Sequence, residues 1–146
     1  FELFKPALDA GFAKAGKGKD MSSFEFAPFV RMRMGPDIDQ CRMAIKQELA
    51  LYVGGMGAKK RNFHMELMAR MGFEAEAKKI QELFFEGKRA EAVAMVPSEF
   101  ADEISLVGPS DRVLDRLQAW RDTPVTTLLL GTRDFATMRT AAELVL

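Results

Sequence analysis

From Ile38 onward apolar residues recur every three or four positions, as Ile38, Cys41, Ile45, Leu49 and Tyr52, and again as Phe63, Leu67, Met68 and Met71. That period is helical, so the pattern predicts two helices joined by the glycine run Gly54-Gly55-Met56-Gly57 and a basic turn, Lys59-Lys60-Arg61. Asp37, with Gln40 three positions on, has the form of a capping box for the first helix. Gly54-Gly55 reads as its left-handed C-cap. Asn62 is a good N-cap for the second helix, and Gly72 stops it. The same periodicity predicts a helix over 2–15 (Phe4, Leu8, Phe12 and Ala15 inward), with Pro6 tolerable in a first turn. A further helix carries Ala77, Ile80, Leu83 and Phe84 to Gly87, and short ones run from Arg89 to Val96 and around Ser98 to Ile104. Pro109 opens another over Ser110 to Arg121, with Val113, Leu114, Leu117 and Trp120 inward. A last helix is capped by Asp134, with Phe135, Met138, Ala142 and Val145 inward.

Two stretches depart from this period. Ser23 to Met34 alternates and is rich in Phe, Val and Met, which predicts a strand. Pro28 lacks an amide hydrogen and so belongs at a bulge or on an unpaired side. Val125 to Leu130 is a near-continuous apolar run, the pattern of a strand buried on both faces of a parallel sheet. Two strands with a mainly helical excursion between them, at about 37–105, place the chain in the α/β class. Two parallel strands cannot close a barrel, so the missing strands are expected in sequence outside these 146 residues. The chain also opens at Phe1 within a helical pattern and closes on apolar Leu144-Val145-Leu146. The expectation is a single incomplete domain over residues 1–146.

Composition changes this picture little. Twenty-one acids balance twenty-one bases, which argues against a nucleic-acid footprint or an anionic-membrane surface. No apolar run approaches the roughly 18 to 20 residues that span a bilayer. The single cysteine, Cys41, excludes an internal disulfide and a thiolate metal cluster, and a reducing cytoplasm is the expected compartment.

Candidate chemistry is sparse. His64 is the only histidine; with no HxxxH or CxxC spacing, no metal site is expected. It is eligible by pKa as a general acid or base, against an ordinary surface or capping role. Arg31 and Arg33 share one face near the end of the first strand, as a solvated rim or a pair of anion contacts. The Gly54–Gly57 run follows a helix rather than a strand, so it reads as a turn and not as a phosphate loop. Methionines between Met21 and Met95 sit mainly at inward positions, as core filler. With no nucleophile–base arrangement at hand, chemistry in such a chain would come largely from a cofactor.

The blocks YVGGMG…RNFH (Tyr52 to His64) and VGPSDRVLDRLQAW…VTTLLL (Val107 to Leu130) resemble the luciferase-like monooxygenase family, in particular its deazaflavin-dependent oxidoreductase branch. The resemblance runs from about Phe24 to Leu130. It implies the C-terminal portion of a (β/α)8 barrel, with Phe24 to Met34 as the seventh strand and Val125 to Leu130 as the eighth. It also implies a reduced deazaflavin coenzyme F-420, or FMN as the alternative, that passes a hydride to or from a small organic substrate. Barrel enzymes hold phosphate groups in the loops after their last two strands, which here carry Arg33, Met34 and Gly35, then Gly131, Thr132 and Arg133. Tyr52, Asn62 and His64 are therefore the expected pocket contacts, with His64 the catalytic candidate. Arg33, Arg61 and Arg133 are the expected contacts to acidic groups. A homo-oligomer is expected of the whole enzyme, and no turnover from this portion alone. The alternative is a non-catalytic helical interaction module.

Overall fold

A computed structural model describes residues 1–2, 4–58 and 61–145, with the side chain of Val145 excepted. Lys59 and Lys60 of the expected basic turn lie outside the described residues, as does the expected inward side chain of Val145. In chain order the elements are α1 (Lys5–Ala15), β1 (Phe29–Met34), α2 (Ile38–Gly55), α3 (Phe63–Met68), α4 (Glu74–Phe85), α5 (Arg89–Ala94), α6 (Ser98–Glu103), β2 (Ser105–Gly108), α7 (Ser110–Arg121), β3 (Leu129–Gly131) and α8 (Phe135–Val145).

The excursion folds as the apolar periods dictate. Ile45, Leu49, Ala50 and Val53 of α2 form one buried core with Ala77, Ile80 and Leu83 of α4, Ala92 of α5, and Phe100 and Ala101 of α6. Asp37 opens α2 by accepting from the amides of Asp39 and Gln40 at 2.9 and 3.1 Å. The expected glycine cap is corrected: Gly54 and Gly55 are the last turn of α2 itself. Their smallness is needed for packing. A Cβ on Gly54 would lie 2.6 Å from Phe84 Cβ, and one on Gly55 2.4 Å from Phe84 Cε1. Positive φ falls instead on Gly57 (150°), where the chain turns toward α3, and on Gly72 (96°), where a short π-helical turn bends into α4.

The sheet is parallel, in the order β2-β1-β3. As the two strand patterns and their implied crossover required, β1 and β3 are neighbours, with Phe29 opposite Leu129 and Arg31 opposite Gly131. Three details differ. Strand β1 begins only at Phe29: residues 24–28 leave the ladder, although Phe26 and Pro28 still accept from Thr126 and Leu129. Pro28 thus contributes its carbonyl at the strand's entrance, where its missing donor costs nothing. A third strand, β2, runs along the other side of β1 from Arg31↔Ser105 to Met34↔Gly108. Its four residues are too few to show an alternation.

It is also β2, not 125–130, that is buried on both faces. Leu106 packs with Val30, Met32, Val113, Leu117 and Ala141, whereas Val107 joins the helical core. Leu129 and Leu130 remain 49% and 38% exposed at the opposite edge. The phase of α8 is likewise corrected. Thr137, Ala141 and Leu144 turn toward the sheet, while Phe135 and Met138 are 84% and 43% exposed. Helix α1 has Pro6 in its first turn and no buried residue; Phe12 meets Phe24 edge-on at 5.5 Å.

One ion cluster ties the excursion to the sheet. Arg42 of α2 grips both carboxylate oxygens of Asp102, at 3.1 and 2.7 Å, and Arg112 of α7 adds a contact at 2.8 Å. Arg112 also donates to the Val107 carbonyl at 2.6 Å, and Arg116 to the Asp102 carbonyl. Burial pushes the Asp102 carboxyl up, but Arg42, Arg112 and Arg116 together hold it below the usual range.

Candidate functional site

The pleat of β1 sends successive side chains to opposite faces. Val30 and Met32 go into the core beneath α7 and α8, so Arg31 and Arg33 stand on the other face. Strand β3 ends beside them, and the segment after it carries Thr132 and Arg133. Together with Phe29, Glu48 of α2, Leu130 and Gly131 these residues line a cleft of about 520 Å³ at the C-terminal ends of the two parallel strands. A Cβ on Gly131 would lie 2.2 Å from the tip of the Phe29 ring, which would have to move aside.

Arg31 is the hub of this cleft. Its Nη2 donates to Glu48 Oε1 at 2.6 Å, and its guanidinium lies 5.2 Å from the Tyr52 ring and 5.6 Å from that of Phe29. Glu48 and Tyr52 are one turn apart on α2, so a single arginine braces both. The Arg31 hydrogen bond holds the Glu48 carboxyl below its ordinary value, with added effect from the charges of Arg33 and Arg133. The cleft therefore sets three guanidinium groups around one ionised carboxylate.

Beyond Tyr52 lies His64, their rings edge-on with centroids 4.8 Å apart. Burial, and then the Arg31 charge, lower the His64 pKa below its ordinary value. Both effects favour the neutral imidazole, the form that can accept a proton. What places it there is Asn62, 2% exposed. The Asn62 carbonyl accepts from the His64 and Met65 amides at 2.9 and 3.1 Å, capping α3. Its amide donates to the Val53 and Tyr52 carbonyls at 2.8 and 3.2 Å. One side chain thereby closes the end of α2 onto the start of α3, and its polar atoms are committed to the chain itself.

The structure thus brings Arg33 and Arg133 into one cleft, and it sets Tyr52 and His64 next to each other behind Arg31, outside the cleft lining. Asn62 stands beneath them as a brace. Arg61 does not join: it is exposed, paired through its backbone with Ala58, and absent from the cleft lining. Glu48 is the residue that sequence reasoning missed. Its signal was present as the one acid a turn before Tyr52 on the polar edge of α2, but only the crossover shows that this edge faces Arg31. A second groove, of about 310 Å³ between α7 and residues 125–128, is lined mainly by Leu114, Leu117, Trp120, Val125 and Leu128. It offers apolar surface rather than converging polar groups.

A parallel sheet with a helical excursion between neighbouring strands, and a polar cleft at the strand ends, is the arrangement of an enzyme barrel's working face. The model of the luciferase-like monooxygenase family matches residues 2–127, and the chain belongs to that family. It is 32% identical over 143 residues to a Mycobacterium tuberculosis protein provisionally named a coenzyme F-420-dependent oxidoreductase, covering 98% of this chain and 41% of that one. It is 28% identical over 131 residues to the 5,10-methylenetetrahydromethanopterin reductase of Archaeoglobus fulgidus, covering 90% and 38%. The chain therefore spans about two fifths of the length of these relatives. No solved structure matches it significantly. No helix among the described residues is long and apolar enough to cross a membrane.

Proposed function

We propose that the chain is the C-terminal part of an oxidoreductase that uses the deazaflavin coenzyme F-420, with FMN as the flavin alternative, and acts on a small organic substrate. The observation that carries this reading is the pairing of Arg33 and Arg133 in one cleft, each at the end of one of two neighbouring parallel strands. Neither has an ion-pair partner among the described residues, whereas Arg31 is held by Glu48. Two guanidinium groups left open at a strand-end cleft suit the phosphate and carboxylate groups of such a coenzyme, since each can make paired charge-assisted hydrogen bonds. The residues present fit the acidic part of the group. The name of the Mycobacterium tuberculosis relative points the same way.

In this reading Arg33 and Arg133 hold the acidic groups, and Tyr52 and His64 form the wall the substrate meets. When bound, the reduced coenzyme supplies the hydride. The chain's own part is to bind, to orient and, at His64, to take up a proton on the imidazole. Asn62 and Arg31 keep Tyr52 and His64 in place.

The test is binding of F-420 and of FMN, each followed by fluorescence, in the full protein and in its Arg33→Ala/Arg133→Ala variant. A charge-assisted contact contributes roughly 1.5–3 kcal/mol, so the expected loss is on the order of a hundredfold or more. Unchanged affinity for both would remove the cleft from coenzyme binding.

A further inference from the structure

Glu48 stands out in a cleft otherwise built for anions. A carboxylate there weakens every anion that enters, by repulsion, and its position is not accidental. Oε1 is pinned by the Arg31 ion pair at 2.6 Å, and Arg31 is in turn wedged between the Tyr52 and Phe29 rings. Oε2 has no hydrogen-bond partner among the described residues, on a side chain that is 42% exposed in the cleft wall. The result is a carboxylate fixed through one oxygen in the wall of the same cleft as two open guanidinium groups, Arg33 and Arg133.

We propose that Glu48 is a specificity-determining residue, which selects ligands carrying an O–H or N–H donor next to their anionic group. This rests on the cleft being the coenzyme site, and deepens it. The anion goes to Arg33 and Arg133, and the adjacent donor goes to Glu48 Oε2. A bare anion meets the same arginines but also an unrelieved negative charge. Such discrimination by one attractive and one repulsive element is how charged sites separate near-identical ligands. A buried or half-buried acceptor that the ligand fails to pair adds to the penalty. Two ligand sources share this chemistry: a phosphorylated polyol, with hydroxyls beside its phosphate, and a short glutamyl peptide, with an amide N–H beside its carboxylates.

The experiment is calorimetric titration of the full chain with two matched pairs of probes. Ribitol 5-phosphate is set against inorganic phosphate, and γ-glutamylglutamate against glutarate. Wild type, Glu48→Gln and Glu48→Ala are compared, with Arg33→Ala/Arg133→Ala as the variant that removes the anion contacts. The wild-type protein should favour the donor-bearing member of at least one pair by about tenfold, the worth of one hydrogen bond to a charged group. The pair that shows it identifies the source. In Glu48→Ala the preference should vanish while the bare anion binds more tightly. Glu48→Gln keeps an acceptor and loses the charge, so it should retain part of the preference; it also carries the test if the alanine variant does not fold. Equal tightening of both members of each pair in the Glu48 variants, with the wild-type preference intact, overturns the role of Glu48 and leaves the coenzyme reading standing. Binding of every probe undiminished in the double arginine variant overturns both, as does the absence of saturable binding in wild type.

Discussion

The helical excursion and the β3–α8 end of the molecule follow the same local rules and reach opposite outcomes. In the excursion the predicted apolar face is the buried face: Ile45 and Leu49 of α2 and Ala77 and Ile80 of α4 are all at most 5% exposed. At the other end, Leu129, Leu130, Phe135 and Met138 are as apolar and lie open. An apolar period says that a face wants cover, and not what covers it. The excursion supplies its own partner through α2 and α4, whereas among the described residues β3 has a strand on one side only. The difference separates faces that the chain covers itself from faces it leaves open, and it can be probed by substitution.

The largest effect is expected in the helical core. Ile80→Ala should cost roughly 2–5 kcal/mol, read as a shift of the melting curve. An equally large loss for Leu129→Ala would break the comparison, because it would mean that β3 is covered in solution. Next comes the clamp between the two regions. Asp102→Asn leaves Arg42 and Arg112 facing a neutral amide and should cost on the order of 2–3 kcal/mol, between the values for exposed and buried ion pairs. Because the folded-state pKa of Asp102 lies below its unfolded value, the wild-type contribution is complete above the unfolded pKa. It is lost as pH falls through the folded one. Acid denaturation curves of the two proteins should converge as pH falls through that range, and a constant gap would refute the assignment.

Smaller again is the glycine contact. Gly55→Ala drives a Cβ into Phe84 and should cost about 1–3 kcal/mol. Adding Phe84→Leu should recover part of it, and full additivity of the two changes would show that the glycine acts through something else. Phe135→Ser on α8 should change stability by no more than about 0.5 kcal/mol, the counterpart to Ile80 at the open end. At the site, the imidazole of His64 should titrate below its ordinary value by NMR. Its shift should shrink in Arg31→Met, which removes a charge but keeps a long apolar side chain.

Much of this was legible in advance where one residue's neighbours are close in sequence. The caps at Asp37, Asn62 and Asp134, the stops at Gly72 and Gly87, and the inward faces of α2, α4 and α7 all follow from local pattern. So does the parallel β1–β3 pairing, because a doubly apolar run after a long helical crossover leaves few alternatives. What local pattern misjudged was set across the fold. Gly54 and Gly55 are glycine because of Phe84, some thirty residues on. The strand β2 is held by β1 and by the two cores that cover its faces, rather than by its own alternation. In the site, Arg33 and Arg133 were legible as strand-end residues. Glu48 was not, since nothing near it in sequence reveals that Arg31 lies opposite. Asn62 was chosen as a pocket contact on its position beside His64; its buried hydrogen bonds to α2 make it a brace.

The pairing of β1 with β3 across the whole excursion also bears on how the chain reaches this state. Between Met34 and Leu129 lie about ninety residues, and closing so long a loop before its contacts form carries an entropic cost that grows only slowly with length but is met in full at the start. The excursion's helices, whose partners lie close along the chain, can collapse first and bring β2 alongside β1, with Ser105 opposite Arg31. Strand β3 then docks onto an edge already shortened to a few turns of separation, so the arginine cleft is assembled last. Its formation should follow the helical signal in a refolding experiment, because half of it arrives with the final strand.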